Sequence, residues 1–111
     1  MDIKDMMNRI KMLEYHQKLL LKLVDNKNLE FYKLIVGKSI DEKEVRGFEK
    51  TCEILSMELE EQKAEGFVYF HPLYNKFKDS LPEEIEPREA IQACLKQGLY
   101  KPLMSEFVKY L

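Results

Sequence analysis

The sequence predicts an all-α protein: a multihelical array or bundle of five to six helices led by a long N-terminal helix. Three observations carry this. Apolar residues recur at steps of three and four over most of the chain, which is the helical period. One run alone, Phe67-Val68-Tyr69-Phe70, has the aromatic and β-branched look of a strand, and no second run pairs with it. Four glycines and four prolines in 111 residues are too few for a loop-rich β-sandwich. With 45 % hydrophobic residues, the chain can bury one core, so residues 1–111 are read as a single domain.

The first helix is predicted over residues 3 to 25. Its apolar positions are Ile3, Met6, Ile10, Leu13, Leu20 and Val24, with Gln17 standing at the one polar step. This is a strict a/d heptad stripe, widened by Met7 and Leu21 at e positions and flanked by Leu23 at g. At 1.5 Å per residue such a helix is about 34 Å long. Asp25-Asn26-Lys27-Asn28 ends it. Asn28 is the expected cap of a short second helix, Leu29 to Val36, with Gly37 as its stop.

Ser39-Ile40-Asp41-Glu42 reads as a capping box opening the third helix, with Asp41 as a competing cap. This long helix is expected to run to Glu65, stopped by Gly66. Its inward stripe is Val45, Phe48, Cys52, Leu55, Leu59 and Gln62. Residues 38–66 hold nine acids against five bases, as a solvated face would. Phe67 to Phe70 is expected to be an extended connector pressed into the core. Pro72 then starts a fourth helix with Leu73, Tyr74 and Phe77 inward. Residues 81–86 form a loop, Pro87 opens a fifth helix stopped by Gly98, and Pro102 opens a sixth. The sixth is expected to reach the C-terminus with Leu103, Met104, Phe107, Val108 and Leu111 inward.

Chemistry-bearing patterns are sparse. With 18 basic and 20 acidic side chains, bulk charge does not hold this protein to nucleic acid or anionic lipid. Cys52 and Cys94 lie on apolar helical faces and read as small buried hydrophobes, not as a disulfide framework or a metal motif. His16 and His71 lie far apart in sequence, with no HExxH or CxxC, so no metal or other cofactor is implied. No serine sits in a nucleophile elbow, and adjacent acids such as Glu60-Glu61 diverge by about 100° around a helix. No catalytic residues are assigned, and the chain reads as a non-enzyme. No basic and apolar leader opens it, and no run approaches the roughly 18 apolar residues of a membrane span, so the expected setting is cytoplasmic.

The strongest positive feature is the first stripe. Ile3, Met6, Ile10, Leu13, Gln17, Leu20 and Val24 are the expected oligomer interface, with a dimer or trimer of identical chains both open. The same stripe could instead pack on the third helix, or receive a partner protein. Met6, Met7 and Met12 add adaptable contact surface in either case. One alternative is a nucleic-acid-associated regulator using Arg88, Lys96, Lys101 and Lys109 on the C-terminal helical hairpin. Against it, Glu106 would repel phosphate, and Leu103, Met104 and Phe107 suit a hairpin that closes the core. A further alternative is a small ligand binder or enzyme with a pocket lined by Tyr69, Phe70 and Tyr74, needing His16 or His71 beside a carboxylate.

The joint order of several short segments adds a resemblance. They are Arg9-Ile10-x-x-Leu13-Glu14-Tyr15, Phe31-Tyr32-x-Leu34, Gln62-Lys63-Ala64-x-Gly66-Phe67-Val68 and Gln97-Gly98-Leu99-Tyr100-x-x-Leu103-Met104. Over nearly the whole chain the sequence resembles the YhaI-like family, small proteins of unknown function from Bacillus and its relatives. The resemblance implies a multihelical fold that assembles as an oligomer in the bacterial cytoplasm. It implies no catalytic residue, cofactor or partner.

Overall fold

A computed structural model describes residues 2–111. Six helices follow one another: α1 (Ile3–Asp25), α2 (Glu30–Gly37), α3 (Glu42–Ala64), α4 (His71–Ser80), α5 (Pro87–Gln97) and α6 (Lys101–Phe107). A 3-10 turn over Val108–Tyr110 closes the chain. Among the described residues there is no strand.

The core forms where α3 meets its neighbours. Its stripe Val45, Phe48, Cys52, Leu55 and Leu59 is buried as the periodicity predicts, with Gln62 half-buried at the end. Phe48 stacks on Phe31 of α2 with ring centroids 5.2 Å apart and meets Phe77 of α4 edge-on at 5.9 Å. Phe77 in turn lies 5.0 Å from Phe107 of α6. One continuous line of rings therefore ties four helices together, each contact worth about 0.5–1.5 kcal/mol beyond area burial. Helix α2 packs on α1 and α5, α5 on α6, and α3 on α4 and α6.

Local caps explain most helix boundaries, and several differ from expectation. Asp2 accepts from the Asp5 amide at 2.7 Å and starts α1. Asn28 does not cap α2. Its own amide is taken by Asn26 Oδ1 at 2.9 Å, and Leu29 stands at the cap with no side-chain bond. Nor is Gly37 the stop: it is the last helical residue, and the left-handed residue is Ser39, at φ 58°. There the Ile40 amide bonds to the Ile35 carbonyl (3.0 Å) and the Ser39 amide to the Val36 carbonyl (3.2 Å), the paired bonds of a Schellman cap. The same pair recurs at Gly66 and Gly98, where φ is 93° and 82°. Ser39 thus holds a place usually given to glycine, because Ile40, 1 % exposed, must turn into the core immediately afterwards.

This also decides between the two expected caps of α3. A residue at positive φ lacks the extended backbone an N-cap needs, so Ser39 is excluded. Asp41, at φ −86° and ψ 169°, accepts from the Glu44 amide at 2.8 Å. Two further expectations are corrected. The connector is not pressed into the core: Phe67, Val68 and Tyr69 are exposed after the turn at Gly66, and Phe70 alone is buried. The sixth helix does not continue to the end. Tightening into the 3-10 turn leaves Val108 and Leu111 exposed and brings Tyr110 inward instead, where its hydroxyl accepts from the Phe70 amide at 2.8 Å.

Ser39 generates a test. A left-handed residue with a side chain costs about 1–2 kcal/mol, partly offset in glycine by chain entropy. Ser39→Gly should therefore stabilise the fold by about 0.5–1 kcal/mol in urea unfolding, whereas Phe77→Ala, at a fully buried site, should cost about 3–5 kcal/mol. A Ser39→Gly variant less stable than the parent would contradict the cap assignment.

Candidate functional site

Helix α1 carries two apolar stripes, and the structure separates them. Met12, Tyr15, His16, Leu19 and Leu23 face the rest of the chain: His16 and Leu19 are buried and the other three half-buried. These occupy c, f and g positions of the heptad. The a and d residues point elsewhere. Ile3, Met6, Ile10, Leu13, Leu20 and Val24 are between 49 % and 77 % exposed, and Gln17 is exposed beside them. Met7 and Leu21 at e are exposed as well. At 3.6 residues per turn the mean directions of the two stripes lie roughly 145° apart. The heptad stripe is therefore not packed on α3, which was one of the uses expected of it.

The inward stripe is fixed by one buried polar contact. His16 Nε2 lies 2.6 Å from the Ile40 carbonyl oxygen. A carbonyl only accepts, so Nε2 carries the proton and donates. The bond ties the middle of α1 to the turn before α3 and satisfies a buried backbone group. Sequence reading placed His16 on a flank and did not see this role. The visible signal was the second period, Met12, Leu19 and Leu23, one step away from His16. Beyond the inward stripe α1 is bare: residues 2–11 are all exposed. Among the described residues no side chain of α1 takes part in an ion pair, Arg9 and Glu14 included.

The other candidate groups are not assembled into a site. A cleft of about 510 Å³ lies between α1 and the start of α3, lined by Asn8, Lys11, Met12, Asp41, Glu42 and Lys43, and it is open and mixed in charge. Tyr69, Phe70 and Tyr74 are divided between surface and core. Phe70 and Tyr74 are buried, Tyr74 packs 5.7 Å from Phe107, and exposed Tyr69 stacks on His71 at 6.0 Å. His16 and His71 are not brought together, and neither is hydrogen-bonded to a carboxylate. Among the described residues, no group of three His, Cys, Asp or Glu could hold a metal ion. Cys52 and Cys94 are fully buried; burial pushes the Cys94 thiol up to about 12 and raises Cys52 as well, the reverse of what a nucleophile needs.

Arg88, Lys96 and Lys101 are exposed, and Lys109 is engaged by Glu106 at 3.1 Å. Leu103, Met104 and Phe107, on the helix that would have to read a groove, are fully buried. Among the described residues, no helix is long and apolar enough to cross a membrane.

Compared with known families, residues 3–111 match the model described as a protein of unknown function (DUF1878).

The junction between α1 and the body has a titration signature. Tyr15 of α1 is pushed up from the usual 10.0 to about 12, first by burial and then by the charge of Glu49, with Arg46 opposing. Tyr100, at the start of α6, is raised to about 12, chiefly by burial. Between these values the unfolded chain has lost protons that the folded chain keeps. Stability is therefore unaffected by these groups below pH 10 and falls as pH rises towards 12. Urea midpoints across that window should drop for the parent and drop less for the Tyr15→Phe, Tyr100→Phe double variant. Equal slopes would contradict the burial assigned to these hydroxyls.

Proposed function

The chain belongs to the DUF1878 family of proteins of unknown function, and on that premise we propose that it is a homo-oligomeric helical interaction module, not an enzyme, whose assembly surface is the outward stripe of α1. The observation that carries this reading is the contiguous exposed row of Ile3, Met6, Met7, Ile10, Leu13, Leu20, Leu21 and Val24. Half-exposed or more, these eight side chains leave roughly 100 Å² each, about 800 Å² in all, which equals one partner's share of a standard protein interface. That exceeds the largest apolar patch of a typical monomer, about 300–600 Å².

A second copy of the chain is the occupant that the pattern fits. A strict 3-4 alternation is what two helices need to stay in contact along their whole length, because it keeps the seam facing the partner as both supercoil, and a second α1 carries the matching period. A single partner helix needs only a few anchors. The stripe also avoids the body, so a second α1 can approach without displacing any core contact.

The proposal also places the chain among the YhaI-like proteins of Bacillus and its relatives, in the cytoplasm. Support for that comes from the sequence resemblance alone, in the ordered segments from Arg9 to Met104. The role of such a module is to hold two or more helical bodies at fixed separation, with their exposed connectors Phe67–Tyr69 available to other contacts.

Sedimentation at micromolar concentration should give a multiple of the 13.3 kDa chain mass. Changing Ile10 and Leu13 to Asp should reduce the mass to that of one chain while leaving the helical circular dichroism intact, since both residues lie outside the core. A monomeric parent would overturn the reading. An unchanged mass after the double substitution would move the interface off α1.

A further inference from the structure

Resting on that assembly, we propose that two copies of α1 pair in parallel and in register as a two-stranded coiled coil, with Gln17 facing Gln17 and Arg9 of each chain facing Glu14 of the other.

Three features of the outward face argue for this arrangement. First, the a positions carry β-branched Ile3, Ile10 and Val24, and the d positions carry Met6, Leu13 and Leu20. β-branched a residues with Leu-like d residues favour two parallel strands, because the packing geometry at a and d differs in such a pair and excludes the branched side chain from d.

Second, Gln17 is the one polar residue in the seam. In a parallel pair a meets a, so the two amides lie together and each can donate to and accept from the other. In an antiparallel pair a meets d, so Gln17 would face Leu13 or Met6 of the partner twice over. Each amide would then be partly desolvated with no partner, which leaves a polar group unsatisfied. Parallel order removes that cost, and it fixes the register, since a slip of one heptad separates the two glutamines.

Third, charge complementarity points the same way. In a parallel pair, a g residue lies beside the e residue five positions later on the partner. Arg9 is at g and Glu14 is at e, both are exposed, and neither has an ion-pair partner among the described residues. Antiparallel order sets g against g and e against e, and leaves both charges unmatched. The remaining g positions in the helix do not compete, because His16 is buried and Leu23 half-buried against the body. The body is centred roughly 145° around the helix from the seam, so in the parallel pair the two bodies lie on the outer sides of the rods, at the same end.

Cross-linking tests the order directly. Ile3→Cys and Val24→Cys place one exposed thiol at either end of the seam, 77 % and 76 % exposed in the single chain; native Cys52 and Cys94 are fully buried and do not compete. Under mild oxidation each variant alone should form a disulfide with its own copy, at both ends, in a particle of twice the chain mass. As a second arm, Glu14→Arg should weaken association by about tenfold, and adding Arg9→Glu on the same chain should restore most of it. A two-chain particle with no homotypic disulfide at either end overturns the parallel order and leaves the assembly intact. A three-chain particle overturns the two-stranded pairing. A monomeric parent overturns the assembly itself, and the orientation falls with it.

Discussion

One helix in this protein is asked to bury two faces, and its own chain can cover only one of them. The anchoring of α1 by Met12, Tyr15, His16, Leu19 and Leu23, with the His16–Ile40 hydrogen bond at its middle, commits the c, f and g side of the heptad inward. Every other large-scale feature follows. The a, d and e side faces solvent, and residues 2–11 run on beyond the contacts. The molecule measures 52 × 32 × 21 Å, with a radius of gyration of 15.6 Å. A compact chain of this length would have about 13 Å.

The division between what the sequence revealed and what it concealed has the same origin. Periodicity marks which residues lie on one face, so all six helices, the α3 stripe from Val45 to Leu59 and the regularity of the α1 stripe were legible. Periodicity does not say what a face meets. The inward side of α1 is the less apolar of its two, holding Tyr15 and His16, and it wins because the turn at Ser39 offers a carbonyl in the right place. That carbonyl comes from residue 40 and is invisible to any local reading. The cap errors share this cause. Ser39 has the composition of an N-cap, and tertiary demand for Ile40 in the core converts it into the left-handed residue of a C-cap. At the C-terminus, helical period alone sent Val108 and Leu111 inward, and the hydrogen bond from the Phe70 amide to Tyr110 overrode it.

The body around α3 is tightly filled. Its thiols are buried and held protonated, and its phenylalanines fill the space between helices α2, α3, α4 and α6. The charges on α3 brace one another, as where Arg46 spans Glu42 and Glu49 at 3.2 and 3.0 Å. Such exposed pairs add little to stability, and their effect is to keep this surface polar and separate from the apolar row on α1.

That separation bears on why the outward row persists at all. A helix in isolation needs about 12–15 residues even to be marginal in water, and most helical stability in proteins comes from burying a face. The first nine residues of α1, up to Lys11, bury none of theirs against their own chain. A charged residue at any of Ile3, Met6, Met7 or Ile10 would be compatible with the core and would improve solubility. The sequence instead keeps an uninterrupted apolar row there and admits a polar group only at Gln17, where a symmetric pair can satisfy it. In the proposed assembly, pairing supplies the burial that the N-terminal half of α1 lacks, so that the order of this segment and the association of the chains become one equilibrium.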